Sequence, residues 1–343
     1  MYKKFFMGIA AMAALTLVSC SSDDLNSFSD NSSKNEAISF DGYLGRSAVA
    51  VNGSRGSELD KTALQNSTEG FGVFGNYSEG TETAYGDNLF KNQLVTYDKT
   101  ESKWTYSPLK YWSTKGHIDF LAYAPYNAGK VKNTYSLDFT VPSTSAEQKD
   151  LLWAHADNQT KADKTVTFTF NHALAKIGYA VKKGVTDDNV TITLNKITLA
   201  GSATDPAKGA FYTDGTIDLS KAEDVTALWT DCKGEQPFTW SGSFPNVTSL
   251  SFSAGSDYLF VIPQNFSTGK LYVIVDYTIS YKGGPTAEMK STVSSPIVKN
   301  FEQGKAYTIN LTIGLTKIDF DVTDVKAWTT GDGINIDSWD DIK

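Results

Sequence analysis

The sequence predicts an all-β protein built as two β-sandwiches in tandem. From residue 37 onward, short runs alternate apolar and polar side chains with period two, and clusters of Gly, Asn, Asp, Ser and Pro separate them. Aromatic residues make up 13% of the chain, with 19 Phe and 17 Tyr, and such side chains suit the half-buried pleated surface of a sheet. The 343 residues, at roughly 100–200 per domain, fit two domains that each bury a core without disulfides. A hydrophobic content of 40% excludes a disordered polymer.

Residues 1–19 read as a signal peptide. Lys3 and Lys4 precede an apolar run from Phe5 to Val18, which is shorter than the ~20 residues that a membrane-spanning helix needs. The run ends in Leu17, Val18, Ser19 and Cys20, an ending that resembles a bacterial lipobox. Cys20 is then the expected lipidation site and the first residue of the mature chain, held on outer-membrane lipid by its acyl chains at ~0.8 kcal/mol per buried methylene. Residues 20–36 form a polar, flexible tether. Its Ser21, Ser22, Asp23 and Asp24 resemble a surface-export signal of Gram-negative lipoproteins, although any tether of this composition would read the same way.

Strand candidates follow at 37–44, 70–77, 117–125, 166–170, 190–194, 258–263, 271–281 and 307–313. Val166, Phe168 and Phe170 share one face of VTFTF, as Val190, Ile192 and Leu194 do in VTITL, so each strand has one buried and one wet face. LYVIVDYTISY at 271–281 is nearly unbroken in apolar and aromatic residues, which suits a central strand, and Lys282 to Pro285 turn the chain after it. Helical signals are few. Residues 145–157 fit a short helix with Ser145 as cap and Gln148 three residues on, and 171–177 reads equally as helix or continuing strand. A polar link at 161–164 sets the expected boundary between an N-terminal sandwich, 37–164, and a C-terminal sandwich, 165–343.

The chemistry-bearing residues are sparse. No G-x-S-x-G, H-E-x-x-H, P-loop or C-x-x-C motif occurs, so no catalytic residue, metal site or cofactor is expected, and the chain reads as a non-enzyme. None of His117, His155 and His172 has a second His or Cys within metal-site spacing, and His117 and His172 read as packing residues. Asp319, Asp321, Asp324, Asp332 and Asp337 fit no calcium-loop spacing. With Cys20 lipidated, Cys232 has no thiol partner and reads as inert. A net charge of −8 disfavours nucleic acid as a partner. Trp104, Tyr106, Tyr111 and Trp112 fit a sugar-binding surface or a core, and aromatics of this size are more often core.

Several segments together resemble the fimbrillin family, the shaft, tip and anchor subunits of type V pili. They are AISFDGYLGR at 37–46, GSRGSELD at 53–60, GFGVFGNY at 70–77 and YSPLKYWSTKGHIDFLAYAPY at 106–126, with QKDLLWA, VTFTFNHALAKI, KGAFYTDG and GKAYTINLTIG following in order. The resemblance implies two transthyretin-like sandwiches, export as an outer-membrane surface lipoprotein, and polymerisation into a fimbrium with other fimbrillin subunits by strand donation. It also implies an Arg-specific surface protease that cuts after the first strand. Arg occurs only at Arg46 and Arg55, the other 29 of 31 basic residues being Lys, so Arg55 matches the cleavage site and Arg46 is the alternative. Donor-strand candidates near the C-terminus are the alternating Ile318, Phe320 and Val322, and Ile334 and Ile336. The alternative reading is a monomeric glycan-binding surface lipoprotein. In either case a host or bacterial surface glycan or protein is the expected contact.

Overall fold

The computed structural model describes residues 36–44, 59–133, 135–221, 228–244, 247, 253–254, 257–268, 270–292, 296–315 and 318–325. The first strands are β1 (Ser39–Leu44), β2 (Phe71–Ser78), β3 (Phe90–Asp98), β4 (Lys103–Thr105), β5 (His117–Ala124), β6 (Val131–Asn133), β7 (Ser136–Thr140), β8 (Leu152–Gln159) and β9 (Thr165–His172). Seven of them make one sheet in the order β1-β9-β8-β5-β2-β3-β4. Its neighbours are antiparallel except at one edge, where β1 runs parallel to β9 from Ser39 opposite Thr165 to Leu44 opposite Phe170.

The chain continues through β10 (Ala175–Lys183), β11 (Val190–Ala200), β12 (Asp214–Asp218), β13 (Trp229–Lys233), β14 (Phe238–Phe244), β15 (Ser253–Ala254), β16 (Leu259–Val261) and β17 (Gln264–Asn265). It then adds β18 (Tyr272–Tyr281), β19 (Thr286–Thr292), β20 (Asn300–Phe301), β21 (Ala306–Ile313) and β22 (Ile318–Val325). One sheet has the order β15-β10-β21-β22, with β16 also on β10; a second is β14-β11-β18-β19, a third β13-β12-β7-β6, and β17 pairs with β20. Accordingly β18, the nearly unbroken apolar run, is an interior strand between β11 and β19.

β5 explains how these sheets share their interior. All eight of its residues are buried. Ile118, Phe120, Ala122 and Ala124 enter a smaller core with Phe71, Val73, Phe168 and Phe170, whereas Leu121 and Tyr123 enter a larger core with Phe74, Trp153, Ile177 and Leu199. Successive side chains of a strand point to opposite faces, so one sheet supplies a wall to each core. The alternation expected of VTFTF holds, with Val166, Phe168 and Phe170 buried and Thr165, Thr167 and Thr169 exposed.

The hydrogen-bond ladders do not divide at residue 164. β9, just beyond it, lies inside the first sheet, and β7, before it, pairs with β12 from Ser136 opposite Asp218 to Thr140 opposite Asp214. The 171–177 segment is strand rather than helix, leaving one sheet at His172 and entering the next at Ala175. The expected helix at 145–157 is also corrected. Only a 3-10 turn forms, Ser145–Glu147, with Thr144 rather than Ser145 at its N-terminus, and Leu152–Gln159 is strand. The side chain of Gln148 is used elsewhere: its Nε2 donates to Pro142 O (2.9 Å) and its Oε1 accepts from Phe260 N–H (2.7 Å), joining two distant segments inside the protein. The one α-helix among the described residues is α1 (Lys61–Asn66), capped by Asp60, whose Oδ1 accepts from Ala63 N–H, and anchored by buried Leu64.

Replacing Gln148 by Ala strips the buried Phe260 N–H and the partly buried Pro142 carbonyl of their partners. The expected loss is about 1–3 kcal/mol per stranded group, read as a lower urea midpoint with an unchanged far-UV spectrum.

Candidate functional site

The first strand is held by one neighbouring strand, one loop and its inward side chains. It forms the sheet edge, and its opening residues are clasped by the loop 106–112. Trp112 N–H donates to Glu36 O (3.1 Å), Ile38 N–H donates to Lys110 O (2.8 Å), and Ala37 bridges Tyr111. The Tyr106 hydroxyl donates to Ile38 O (2.8 Å) and accepts from Lys110 N–H (3.2 Å), tying loop and strand through one side chain. Burial pushes that hydroxyl up to about 12, so it remains a donor across the physiological range. Ser39 Oγ donates to Lys164 O (3.1 Å) on the other side.

The inward side chains supply the attraction. Ile38 and Phe40 are 1% and 4% exposed. The Phe40 ring sits within 5.3–6.5 Å, centroid to centroid, of Tyr106, Phe90, Phe120, Phe168 and Phe71. It stacks on Phe168, with 20° between the planes, and meets Phe120 edge-on at 87°. Each such pair adds ~0.5–1.5 kcal/mol to the burial of its rings. Two residues on, Gly42 faces Phe170, Phe71 and Trp104, and a Cβ at this position would meet them at 3.5–3.8 Å, an ordinary contact distance. The groove beneath β1 is therefore a row of sites: an aliphatic one, an aromatic cage and a shallow one.

Of the predicted functional residues, Cys20, Arg46, Arg55, Ile334 and Ile336 lie outside the described residues, as does most of the predicted tether. Ile318, Phe320 and Val322 fall in β22, which runs antiparallel to β21 with Ile313 opposite Ile318, Leu311 opposite Phe320 and Ile309 opposite Val322. Ile318 is buried, and Val322 packs on the larger core. Trp104 and Trp112 are core residues, 7% and 4% exposed, while Tyr111 is exposed. Burial, followed by the Asp231 charge, pushes the Cys232 thiol up, away from the thiolate.

Sequence spacing did not reveal that each histidine has a carboxylate beside it. His117 Nε2 is 3.1 Å from Asp119, His155 Nδ1 is 2.9 Å from Asp157, and His172 Nδ1 is 2.7 Å from Asp150. Asp119 also accepts from Ala84 and Asn158 N–H, and Asp150 from Leu59 and Leu151 N–H. These buried carboxylates stitch loops to strands. Only the two i, i+2 pairs, His117 with Asp119 and His155 with Asp157, had a signal in the sequence.

A family model for fimbrillin-like proteins matches residues 59–328. The chain belongs to the fimbrillin-like family. Among solved structures, this fimbrillin-like chain is similar to a fimbrial protein from Bacteroides vulgatus, at 21% identity and a TM-score of 0.66, over 86% of this chain and 100% of the other. It is also similar to a candidate cell-adhesion protein from Bacteroides uniformis, at 19% identity and a TM-score of 0.50, again over 86% and 100%. At these identities the likeness is one of fold. No curated protein matches the chain.

For this fimbrillin-like chain the cage predicts a graded response. Phe40→Ala should destabilise the protein by about 3–5 kcal/mol, because it empties the centre of five rings. Tyr106→Phe, which keeps the ring and removes only the hydroxyl, should cost about 1–3 kcal/mol. Equilibrium denaturation of both variants checks the order.

Proposed function

We propose that this chain is a non-enzymatic fimbrial subunit or fimbria-associated adhesin, displayed at the outer membrane through acylated Cys20 and assembled by exchange of its first strand. Family membership supports a fimbrial or adhesive role, and the fold likeness to a fimbrial protein agrees with it. The observation that carries the exchange reading is Phe40: an edge strand anchored by a deeply caged aromatic is a plug that an incoming strand of similar pattern can replace.

Chain connectivity gives β1 a high effective concentration over its groove, so an uncut precursor resists exchange. Cleavage by an Arg-specific protease after Arg55, or after Arg46, removes that advantage, since both arginines lie between the strand and the body of the protein. A neighbouring fimbrillin subunit then supplies the replacement. Ile318, Asp319, Phe320 and Asp321 repeat the Ile-x-Phe-Asp order of Ile38 to Asp41, with Val322 in the place of Gly42. That match aligns Ile318 with the aliphatic site, Phe320 with the cage and Val322 with the shallow site. Donation of this segment requires β22 to leave β21, so the register is a competition between two ladders. Ile334 and Ile336 offer a second alternating stretch nearer the C-terminus.

Lys substitution at both Arg46 and Arg55 should preserve the fold and surface display while abolishing Arg-specific trimming and the polymer ladder on gels of unboiled samples. Polymers that retain residues 37–55 would refute this route. Cys20→Ala should abolish acyl labelling and release the protein from the outer membrane, and a mutant that stays membrane-bound would refute lipid anchoring.

A further inference from the structure

Outside the β1 groove, three aromatic rings stack in a row that ends at the surface. Phe74 and Tyr123 lie 6.2 Å apart with 26° between their planes, and Tyr123 and Tyr126 lie 6.4 Å apart with 22°. Phe74 and Tyr123 are buried, and Tyr126, the outer ring, is partly exposed. The stack is fixed from within. The Tyr123 hydroxyl donates to Asn92 Oδ1 (2.8 Å) and accepts from Asn127 N–H (3.2 Å), and Tyr126 N–H donates to Gly70 O (3.1 Å). Gly70 is itself constrained: its φ is +63°, and a Cβ there would lie 2.2 Å from Val95 O.

Tyr123 and Tyr126 line a cleft of about 210 Å³ with Phe139, Pro125 and Pro142. Its polar lining includes Glu69, Glu147, Lys130 and Lys149, with Lys149 Nζ 2.6 Å from Glu69 Oε1. Asp150 forms a buried part of the wall, and its oxygens already serve His172, Leu151 and Leu59.

We propose that this cleft binds one neutral sugar ring, stacked on Tyr126 and hydrogen-bonded by the charged side chains around it. The size favours a small ligand, because sites for drug-sized molecules run to ~300–1,000 Å³. A wholly apolar ligand would make no hydrogen bond to the Glu147 carboxylate, the Lys130 ammonium or the Glu69–Lys149 pair that line the cleft. A ligand of either charge would meet like charge, since both signs line the cleft. Hydroxyls both donate and accept, so they suit carboxylates and ammonium groups together, while the C–H face of a pyranose suits the exposed face of a tyrosine. The inference does not rest on strand exchange. It applies equally to a subunit and to a monomer, and it transfers the sugar-binding role from Trp104 and Trp112, which are core, to Tyr126.

Saturation-transfer NMR on the purified full chain tests it, with the methyl glycosides of glucose, galactose, mannose and N-acetylglucosamine as probes and choline and acetate as charged controls. The expected result is transfer to the ring C–H protons of at least one glycoside and none to either ion. Tyr126→Ala should weaken that binding about tenfold or more, equivalent to ~1.4 kcal/mol. Glu147→Ala, a substitution of an exposed side chain that leaves the core untouched, should also weaken it about tenfold and keeps the test decisive if the tyrosine variant does not fold. Absence of transfer to all four glycosides, unchanged transfer in a folded variant, or preferential transfer to choline or acetate would overturn the proposal.

Discussion

The structure depends on one strand, β5, being buried on both faces of its sheet. β5 has no exposed residue, and its alternate side chains go to different cores, so neither core can be repacked without moving the wall of the other. Close packing makes such a wall stiff. The buried polar groups follow from the same constraint. Asp119 lies within β5 and would be costly there without donors, and the main chain of Ala84 and Asn158 supplies them. Gln148 serves likewise between Pro142 and Phe260.

Against this stiff wall, β1 is different in kind. Its Ile38 and Phe40 enter the smaller core, it pairs with one strand along its length, and it is clasped at its start by the 106–112 loop through two main-chain hydrogen bonds and the Tyr106 hydroxyl. Interior strands such as β10 and β18 have partners on both sides. Loss of β1 would therefore expose a groove while leaving the larger core covered. That contrast is what gives a removable strand physical sense in a protein whose other sheets are interlocked.

Periodicity made much of this legible. VTFTF announced its buried face residue by residue, and LYVIVDYTISY announced an interior strand, because burial on one or two faces writes itself into local sequence. The pairing was not legible. That Ser39 lies opposite Thr165, or that Ser136 lies opposite Asp218, is set by packing between distant segments, and a period of two reports a face without naming a neighbour. The helix expected at 145–157 failed for the same reason: Gln148 looked like half of a capping box, but its side chain had better partners far along the chain. The strand at 37–44 was readable from its pattern, whereas the hydroxyl of Tyr106 that holds Ile38 had no signal in its spacing.

The parallel pairing of β1 with β9 also has a mechanical meaning. β1 is entered from upstream, and β9 leads downstream into β10, so tension between the chain before Ser39 and the chain beyond His172 pulls the two strands lengthwise past each other. The rungs of the ladder then bear load together, as overlapping planks bear it through all their nails, instead of parting one after another as in a peeled hairpin. While β1 is in place, the uncut chain would resist at this seam in proportion to the full six-residue overlap.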